Sequence, residues 1–562
     1  MSKFNNVLNR FSRILTQDKS QGASQSMLYA IGINSKNMNK PFVAVASMGY
    51  DINPCNSHLN QKSEIVKKFI IKKKRLNSFI FNTVGVSDGI SMGTYGMKWS
   101  LPSRELIADS IETNINGHFY DGAVILPGCD KNIPAAIMAM ARFNRPSFII
   151  YGGSTQPGRY KGEQLDIVSS FQSYSQYTSG EISNNKRLNI VKNACPGPGS
   201  CGGMYTANTM ASISEVMGLT LPNSSSNPAT SEEKFLECKN SEKHIYKLLK
   251  MNLKPRDIIT KKSIENGIKL GLILGGSTNL VLHMLAIAHS FDIKLNLQDF
   301  VKHHDIPLLL NLKPYGEYLM NDLHHIGGMS QIIKYLIQKK ILDGTALTIT
   351  GNTLWENVKN SKEINFDTQD IIYPINKPIK SNSHIRILHG NLAPNGSVSK
   401  ITGKEGTYFK GNALVYNQED DFLSDLKNKK INKGSVIVLR YMGPKGAPGM
   451  PEMLKPTSSI VGSGLENDVA LITDGRFSGG SHGFIIGHVA PEAYDGGPIS
   501  LVENGDIIEI DAEKNTINLL VKDTILDLRK NKLDYKFKKL NNNYLKKYQK
   551  LVSCSSKGCI TI

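Results

Sequence analysis

The stretch Leu126-Pro127-Gly128-Cys129-Asp130-Lys131-Asn132 sets a thiol, a carboxyl and an amine side by side directly after an apolar run. Residues 123–126 read as a short buried strand that Pro127-Gly128 ends, and the spacing predicts a helix opening near Ile133. Cys129, Asp130 and Lys131 then stand at a strand's carboxyl end, where open α/β sheets bind their ligands. Working outward, residues 41–47 read as another strand, leading into the turn-forming Asp51-Ile52-Asn53-Pro54-Cys55-Asn56, so Cys55 also falls at a strand end. Beyond a lysine-rich helix lies Asn82-Thr83-Val84-Gly85-Val86-Ser87-Asp88-Gly89-Ile90-Ser91-Met92-Gly93, whose β-branched alternation stops at a glycine loop carrying Asp88. Residues 104–115 have helical periodicity and 147–153 form a further apolar strand. Strands alternating with helices predict a doubly wound, largely parallel sheet. Each site feature is ordinary by itself: a buried Cys usually only packs, an Asp-Lys pair is usually a surface ion pair, and Asp-Gly is usually a turn.

The densest glycine loop is Ala194-Cys195-Pro196-Gly197-Pro198-Gly199-Ser200-Cys201-Gly202-Gly203-Met204-Tyr205-Thr206-Ala207-Asn208, which contains neither phosphate-cradle spacing. Cys195 and Cys201 are too widely separated by Pro and Gly for a zinc knuckle, so at most one of them is a ligand. Helices over 262–274 and 277–290 close the first half, the second nearly apolar all round and therefore buried. Composition turns polar between 365 and 384, which places a boundary between an N-terminal α/β unit (1–365) and a C-terminal β-rich, barrel-like or sandwich unit (366–562). In the second unit, strands are expected at 406–416, 435–441 and 469–473, with a hairpin over 505–521. Two glycine-rich loops there, 443–453 and 473–483, carry few reactive side chains, among them Glu452, Ser478 and His482.

At 562 residues, 40% hydrophobic and 20% charged, the chain is a globular protein of at least two domains. No apolar stretch approaches a membrane span, and the first residues lack the apolar core of a secretory signal, so a cytoplasmic protein is expected. Seven cysteines without regular spacing do not describe a disulfide framework. The net charge of +19 raises nucleic-acid binding. The lysines, however, are scattered in patches among Asn and Ile, and no zinc-finger or aromatic RNA-binding signature accompanies them.

Taken in order, Asn53-Pro54-Cys55-Asn56, Ser87-Asp88-Gly89-Ile90-Ser91-Met92-Gly93, Ser103-Arg104-Glu105-Leu106-Ile107-Ala108-Asp109-Ser110, the Pro-Gly-Cys-Asp-Lys turn, the Cys-Pro-Gly-Pro-Gly-Ser-Cys-Gly-Gly loop, Pro451-Glu452-Met453 and Asp474-Gly475-Arg476-Phe477-Ser478-Gly479-Gly480 resemble the family of dihydroxy-acid, phosphogluconate and sugar-acid dehydratases. The resemblance runs from about Ser12 to the last residues and leaves little room for a transit peptide. It implies that Cys55, Cys129 and Cys201 hold an iron-sulfur cluster, of the 2Fe-2S type given a cysteine at position 55. It further implies that Asp88, Asp130, Glu452 and a carbamylated Lys131 surround a Mg2+ ion, that Ser478 is the base, and that the assembly is a homodimer. Carbamylation turns an ammonium without a lone pair into a hard oxygen anion suited to magnesium. Tyr95 and Met442 depart from the pattern, standing where acidic residues are expected.

The chemistry so implied is removal of water across C2 and C3 of a small-molecule dihydroxy acid. Three thiolates leave one iron of a 2Fe-2S cluster short of its four protein ligands and open to a hydroxyl. The branch resembled is the branched-chain one, with products leading to valine and isoleucine; a sugar-acid dehydratase, or a basic iron-sulfur protein without catalysis, are the rival readings.

Overall fold

The computed structural model describes residues 7–401, 406–479, 481, 483–532 and 540–562. Gly480 and His482, both in the Ser478 loop, lie outside the described residues. In the first half, β1 (Phe42–Ser47), β2 (Asn77–Asn82), β3 (Gly122–Leu126) and β4 (Ser147–Ile149) form an all-parallel sheet in the order β2-β1-β3-β4. β1 and β3 are buried at every position, as a sheet covered on both faces requires. The helices Leu59–Lys72, Ser100–Gly117 and Asn132–Phe143 make the crossovers. The first shows why its lysines do not mark a ligand site: Leu59, Ser63, Val66 and Ile70 form the buried stripe and the basic residues take the outer side. β4 ends four residues before the expected 153, and Ile149 bridges onward to Thr220.

Chain direction across the sheet reverses between β1 and β3, the topological switch point of a doubly wound fold. Ser47 and Leu126, the last residues of those strands, are in register. The loops carrying Cys55 and Cys129 therefore leave the sheet side by side, and the chain order already brings two of the three cysteines together.

In the second half eight strands form one sheet: β7 (Ile385–Leu388), β8 (Ser397–Lys400), β9 (Tyr408–Tyr416), β10 (Ser435–Leu439), β12 (Ala470–Thr473), β14 (Phe484–Gly487), β15 (Ile507–Asp511) and β16 (Thr516–Leu519). Two short pairs stand apart, β5 (Gly158–Tyr160) with β6 (Glu163–Leu165), and β11 (Glu452–Met453) with β13 (Arg476–Phe477). The order of the large sheet is β16-β15-β9-β10-β12-β14-β8-β7, and the two ends meet: His389 N donates to Asn515 O at 2.9 Å and Ile517 N to His389 O at 3.0 Å. A barrel rather than a sandwich results, with no free edge along this seam. Its four central strands run parallel, joined by the helices Glu419–Lys427 and Lys455–Gly462, which the sequence reading did not anticipate. Alternation sorts the residues: Val436, Val438, Ala470, Ile472 and Ile486 pack in one core, while Ile437, Leu439, Leu471 and Ile485 pack in another with Phe422 and Ile460 of those helices.

The halves are in extensive contact. Ile385, Ile387 and Val398 of the barrel belong to the hydrophobic core of the first half, and His384 bonds Gly276 O through Nε2 at 2.8 Å. The helix Asn543–Leu551 and the turn Ser555–Lys557 return to the first half, where Arg104 Nη2 donates to Gly558 O at 2.8 Å and to Cys559 O at 2.7 Å.

Candidate metal centre

Three backbone loops converge at the switch point. Asn56 clasps two of them: its Nδ2 donates to Met48 O (2.6 Å) and Asn132 Oδ1 (2.8 Å), and its Oδ1 accepts Cys129 N (3.0 Å). A Cβ on Gly128 would collide with Asn56 and with the Cys55 carbonyl oxygen, so only glycine allows the two cysteine loops to lie this close. The third loop is stitched on by Gly199 N to Pro54 O (3.0 Å), Ser200 Oγ to Gly128 O (2.7 Å) and Thr155 N to Ser200 O (2.7 Å). Asn208 steadies its far side by donating to Cys201 O and Gly203 O, both at 2.6 Å, and is itself bonded by Tyr151 OH at 2.8 Å.

The outcome is a triad. The thiol of Cys55 lies within hydrogen-bonding reach of Cys129 and Cys201, and those two thiols, reinforced by burial, push its pKa well up. Cys55 and Cys129 are buried, Cys201 half-buried, and all seven cysteines are free. Cys195 sits at the surface; Cys238 is buried in the core, and Cys559 is buried with its Sγ 3.8 Å from Met450 Sδ. Three thiols crowded in a buried pocket repel one another once ionised, and a soft, positively charged metal group is what such a donor set suits.

Directly beside Cys129 the carboxylates of Asp88, Asp130 and Glu452 converge, one oxygen from each lying within 4.8 Å of the others. Asp88 opens the helix Asp88–Ser91, capped by Ser87, and its Oδ1 takes a hydrogen bond from Ser100 Oγ at 2.8 Å. Lys131 Nζ sits among the three acids, 2.5 Å from Asp88 Oδ2, 3.0 Å from Glu452 Oε1 and 3.8 Å from Asp130 Oδ2. Burial, then the Asp88 charge, pushes the Asp130 carboxyl up to about 7. For Lys131, burial and the Arg476 charge favour the neutral amine, yet Asp88, Glu452 and Asp130 outweigh them and its pKa is raised. Burial likewise opposes ionisation of Glu452, but Lys131 and Arg476 hold its pKa below the usual value. The ammonium thus occupies the place among three oxygens that a hard divalent cation fits.

Glu452 reaches this centre from the second half, and one device positions it and sets Ser478 close behind it in the chain. The β11–β13 pair sets Glu452 opposite Arg476 and Met453 opposite Phe477, and Ser478 follows at once, its N bonded to Met453 O at 3.4 Å. The Ser478 loop meets the first half at Gly479, where a Cβ would lie 3.5 Å from Ser277 Oγ and 3.5 Å from the Tyr205 backbone. Two groups that the sequence reading did not single out belong here. Arg476 is fully buried against Glu452, and Asn279 Nδ2 donates to Glu452 Oε1 at 2.8 Å. Arg476 lies inside the Asp474–Gly480 motif, and an Asn opening an otherwise apolar helix is the sequence signal at 279. Tyr95 is exposed and takes a hydrogen bond from Asn542, whereas Met442 packs over Gly475.

Known protein families and proteins resemble this chain along most of its length. The family profile described as "Dihydroxy-acid/6-phosphogluconate dehydratase N-terminal" matches residues 40–357, and its C-terminal counterpart matches 370–559. A protein of Francisella tularensis subsp. novicida (strain U112) named "Dihydroxy-acid dehydratase" is 53% identical over 99% of this chain and 99% of its own length. One of the same name from Flavobacterium psychrophilum is 51% identical over 99% of this chain and 100% of its own. A "Dihydroxy-acid dehydratase, mitochondrial" of Schizosaccharomyces pombe is 52% identical, covering 99% of this chain and 93% of its own. With two family profiles spanning most of the chain and relatives this similar along their whole length, the chain belongs to the dihydroxy-acid/6-phosphogluconate dehydratase family and is a hydro-lyase.

Proposed function

We propose that the chain dehydrates (2R)-2,3-dihydroxy-3-methyl carboxylic acids to 2-oxo acids on the way to valine and isoleucine. The observation that carries this reading is adjacency: Cys129 of a three-thiol pocket and Asp130 of a three-carboxylate cage are consecutive residues at the switch point. Cys55, Cys129 and Cys201 would hold a 2Fe-2S cluster; Asp88, Asp130, Glu452 and Lys131 would hold Mg2+. When bound, these groups supply Lewis acidity toward the C3 hydroxyl and toward the carboxylate and C2 oxygen.

The side chains do the rest. Lys131 as an ammonium would repel an incoming cation, and adding carbon dioxide to its amine exchanges that repulsion for an oxygen ligand, the reason we assign it a carbamate. Ser478, following β13 at the seam of the two halves, would as its alkoxide take the C2 proton. Passing that proton to the hydroxide leaving C3 releases water and restores the alkoxide, and the enol so formed tautomerises to the 2-oxo acid. Units 1–365 and 366–562 each supply part of the machinery, so neither is expected to be active alone.

The remaining assignments are a cytoplasmic homodimer without a nucleic-acid partner. Seven free thiols support a reducing compartment. The helix Gly22–Ala30, which buries none of its residues and exposes Met27, with Ile31 exposed just beyond, supports a surface that a second copy covers. No helix among the described residues is long and apolar enough to cross a membrane.

The test is anaerobic kcat/KM for 2,3-dihydroxy-3-methylbutanoate, its 3-methylpentanoate homologue, gluconate and 6-phosphogluconate, alongside the visible spectrum. The two branched acids should fall within about two orders of magnitude of each other, since one methylene is worth about 1 to 3 kcal/mol. A preference for either sugar acid would overturn the substrate assignment, and coloured protein that turns over none of the four would overturn the reaction.

A further inference from the structure

Glu452 enters the cage 321 residues beyond Lys131, from the other half of the chain, so its carboxylate needs its own support. Three donors converge on one of its oxygens: Lys131 Nζ at 3.0 Å, Asn279 Nδ2 at 2.8 Å, and Arg476 Nη1 in a closer contact still. Arg476 faces Glu452 across the β11–β13 ladder, and its Nε is tied to Met450 O at 2.6 Å. Its Nη1 also lies 3.2 Å from Asn279 Oδ1. The Asn279 amide therefore gives its nitrogen to the carboxylate and its oxygen to the guanidinium; turned over, it would set like against like at both contacts. All three residues are buried, so these are strong, unscreened contacts.

We infer that Arg476 and Asn279 are positioning residues for the divalent-metal site: they hold Glu452 by Oε1 and so fix its carboxylate in place at the cage. Lys131 alone could not do this, because as a carbamate it loses its positive charge and two of its three N–H donors, whereas Arg476 and Asn279 keep their charge and donors in either state of the lysine. The inference rests on the metal reading above.

The experiment uses the cluster-bearing protein stripped of Mg2+, with Mn2+ as the probe and free Mn2+ followed by electron paramagnetic resonance. Asn279→Leu should weaken Mn2+ binding about 10- to 100-fold, the range for groups that orient a metal ligand, with the visible spectrum unchanged. If leucine disturbs the cluster, Asn279→Ala is read instead. Arg476→Lys, which keeps the charge, should lose less affinity than Arg476→Gln. A purely structural ion pair would lower the melting temperature while leaving Mn2+ affinity within twofold of the parent, and that result overturns the inference. Glu452→Gln separates the two levels: if it too leaves Mn2+ binding unchanged, the metal reading fails as well; if it abolishes binding while the Asn279 variants do not, only the positioning role fails.

Discussion

Gly128→Ala should disable the centre without touching any ligand. A methyl group at this position would lie well inside 3.0 Å of the Cys55 carbonyl oxygen and of Asn56 Oδ1. The carbonyl is backbone and cannot rotate away. Asn56 can, but only by giving up its bonds to Met48 O at 2.6 Å, Asn132 Oδ1 at 2.8 Å and Cys129 N at 3.0 Å. Rotating Asn56 away forfeits three hydrogen bonds worth about 1 kcal/mol net each and leaves the carbonyl clash, so the less expensive response is a backbone shift, at about the 1 to 3 kcal/mol typical of overpacking. That response also parts Cys55 from Cys129 by roughly 1 Å, the distance needed to restore contact. Gly89→Ala, beside Asp88, is the control, since nothing lies within 4 Å of a Cβ there. After anaerobic reconstitution, iron and acid-labile sulfide per chain should fall several-fold in Gly128→Ala, with an earlier urea midpoint, and stay at the parent level in Gly89→Ala. Equal iron, sulfide and midpoint in the two variants would refute the packing reasoning.

Lys131→Met leaves Asp88, Asp130 and Glu452 facing one another with Arg476 as their nearest cation, so the metal-free protein should lose about 3 to 5 kcal/mol of stability; an unchanged denaturation midpoint without metal would contradict the ion-pair geometry. Ser478→Ala should keep cluster and metal yet slow exchange of the substrate's C2 proton by about 10² to 10⁴, and near-normal exchange would move the base elsewhere. His384 gives a pH prediction: burial, then the Lys400 charge, lowers its pKa from 6.5 to about 3. Between those values the unfolded chain takes up a proton that the folded chain refuses, so stability falls as pH falls, by about 1.4 kcal/mol per pH unit from this residue. His384→Gln keeps a donor for Gly276 O and removes the titration, so its urea midpoint should fall less steeply from pH 6 to 4; parallel slopes would refute the assignment.

The strand, turn and helix around Cys129 were legible because everything that determines them is local: an apolar run, Pro127-Gly128, then apolar helical spacing. The observed strand Gly122–Leu126 and helix Asn132–Phe143 follow the expectation closely. The convergence of Cys55 with Cys129 was legible too, since both leave strand ends of one parallel sheet. What could not be read is register at long range. Neither the opposition of Glu452 and Arg476 nor the closure of the barrel at His389 and Thr516 has a local signature, because each depends on how distant strands slide past one another. Asn279 was masked by its surroundings: ten consecutive residues from Asn279 to Ala288 are buried, so the pattern said core and hid a polar group with a task. The helix Glu419–Lys427 was lost for a related reason, since with only Phe422 and Leu426 buried it shows too short a stripe to stand out between strands.

The separation of the two donor sets along the chain gives them different birthdays on the ribosome. All three cysteines have been translated by residue 201, whereas Glu452 follows roughly 250 residues later, a delay of about 10 to 50 s at typical elongation rates. During that interval Lys131 has only Asp88 and Asp130 for company, and the sulfur pocket can fold before the oxygen cage has its third wall. If the two pockets hold the proposed cluster and cation, cells short of one metal but not the other would accumulate half-furnished chains of two distinguishable kinds: colourless ones missing the cluster, and coloured ones still waiting for the cation.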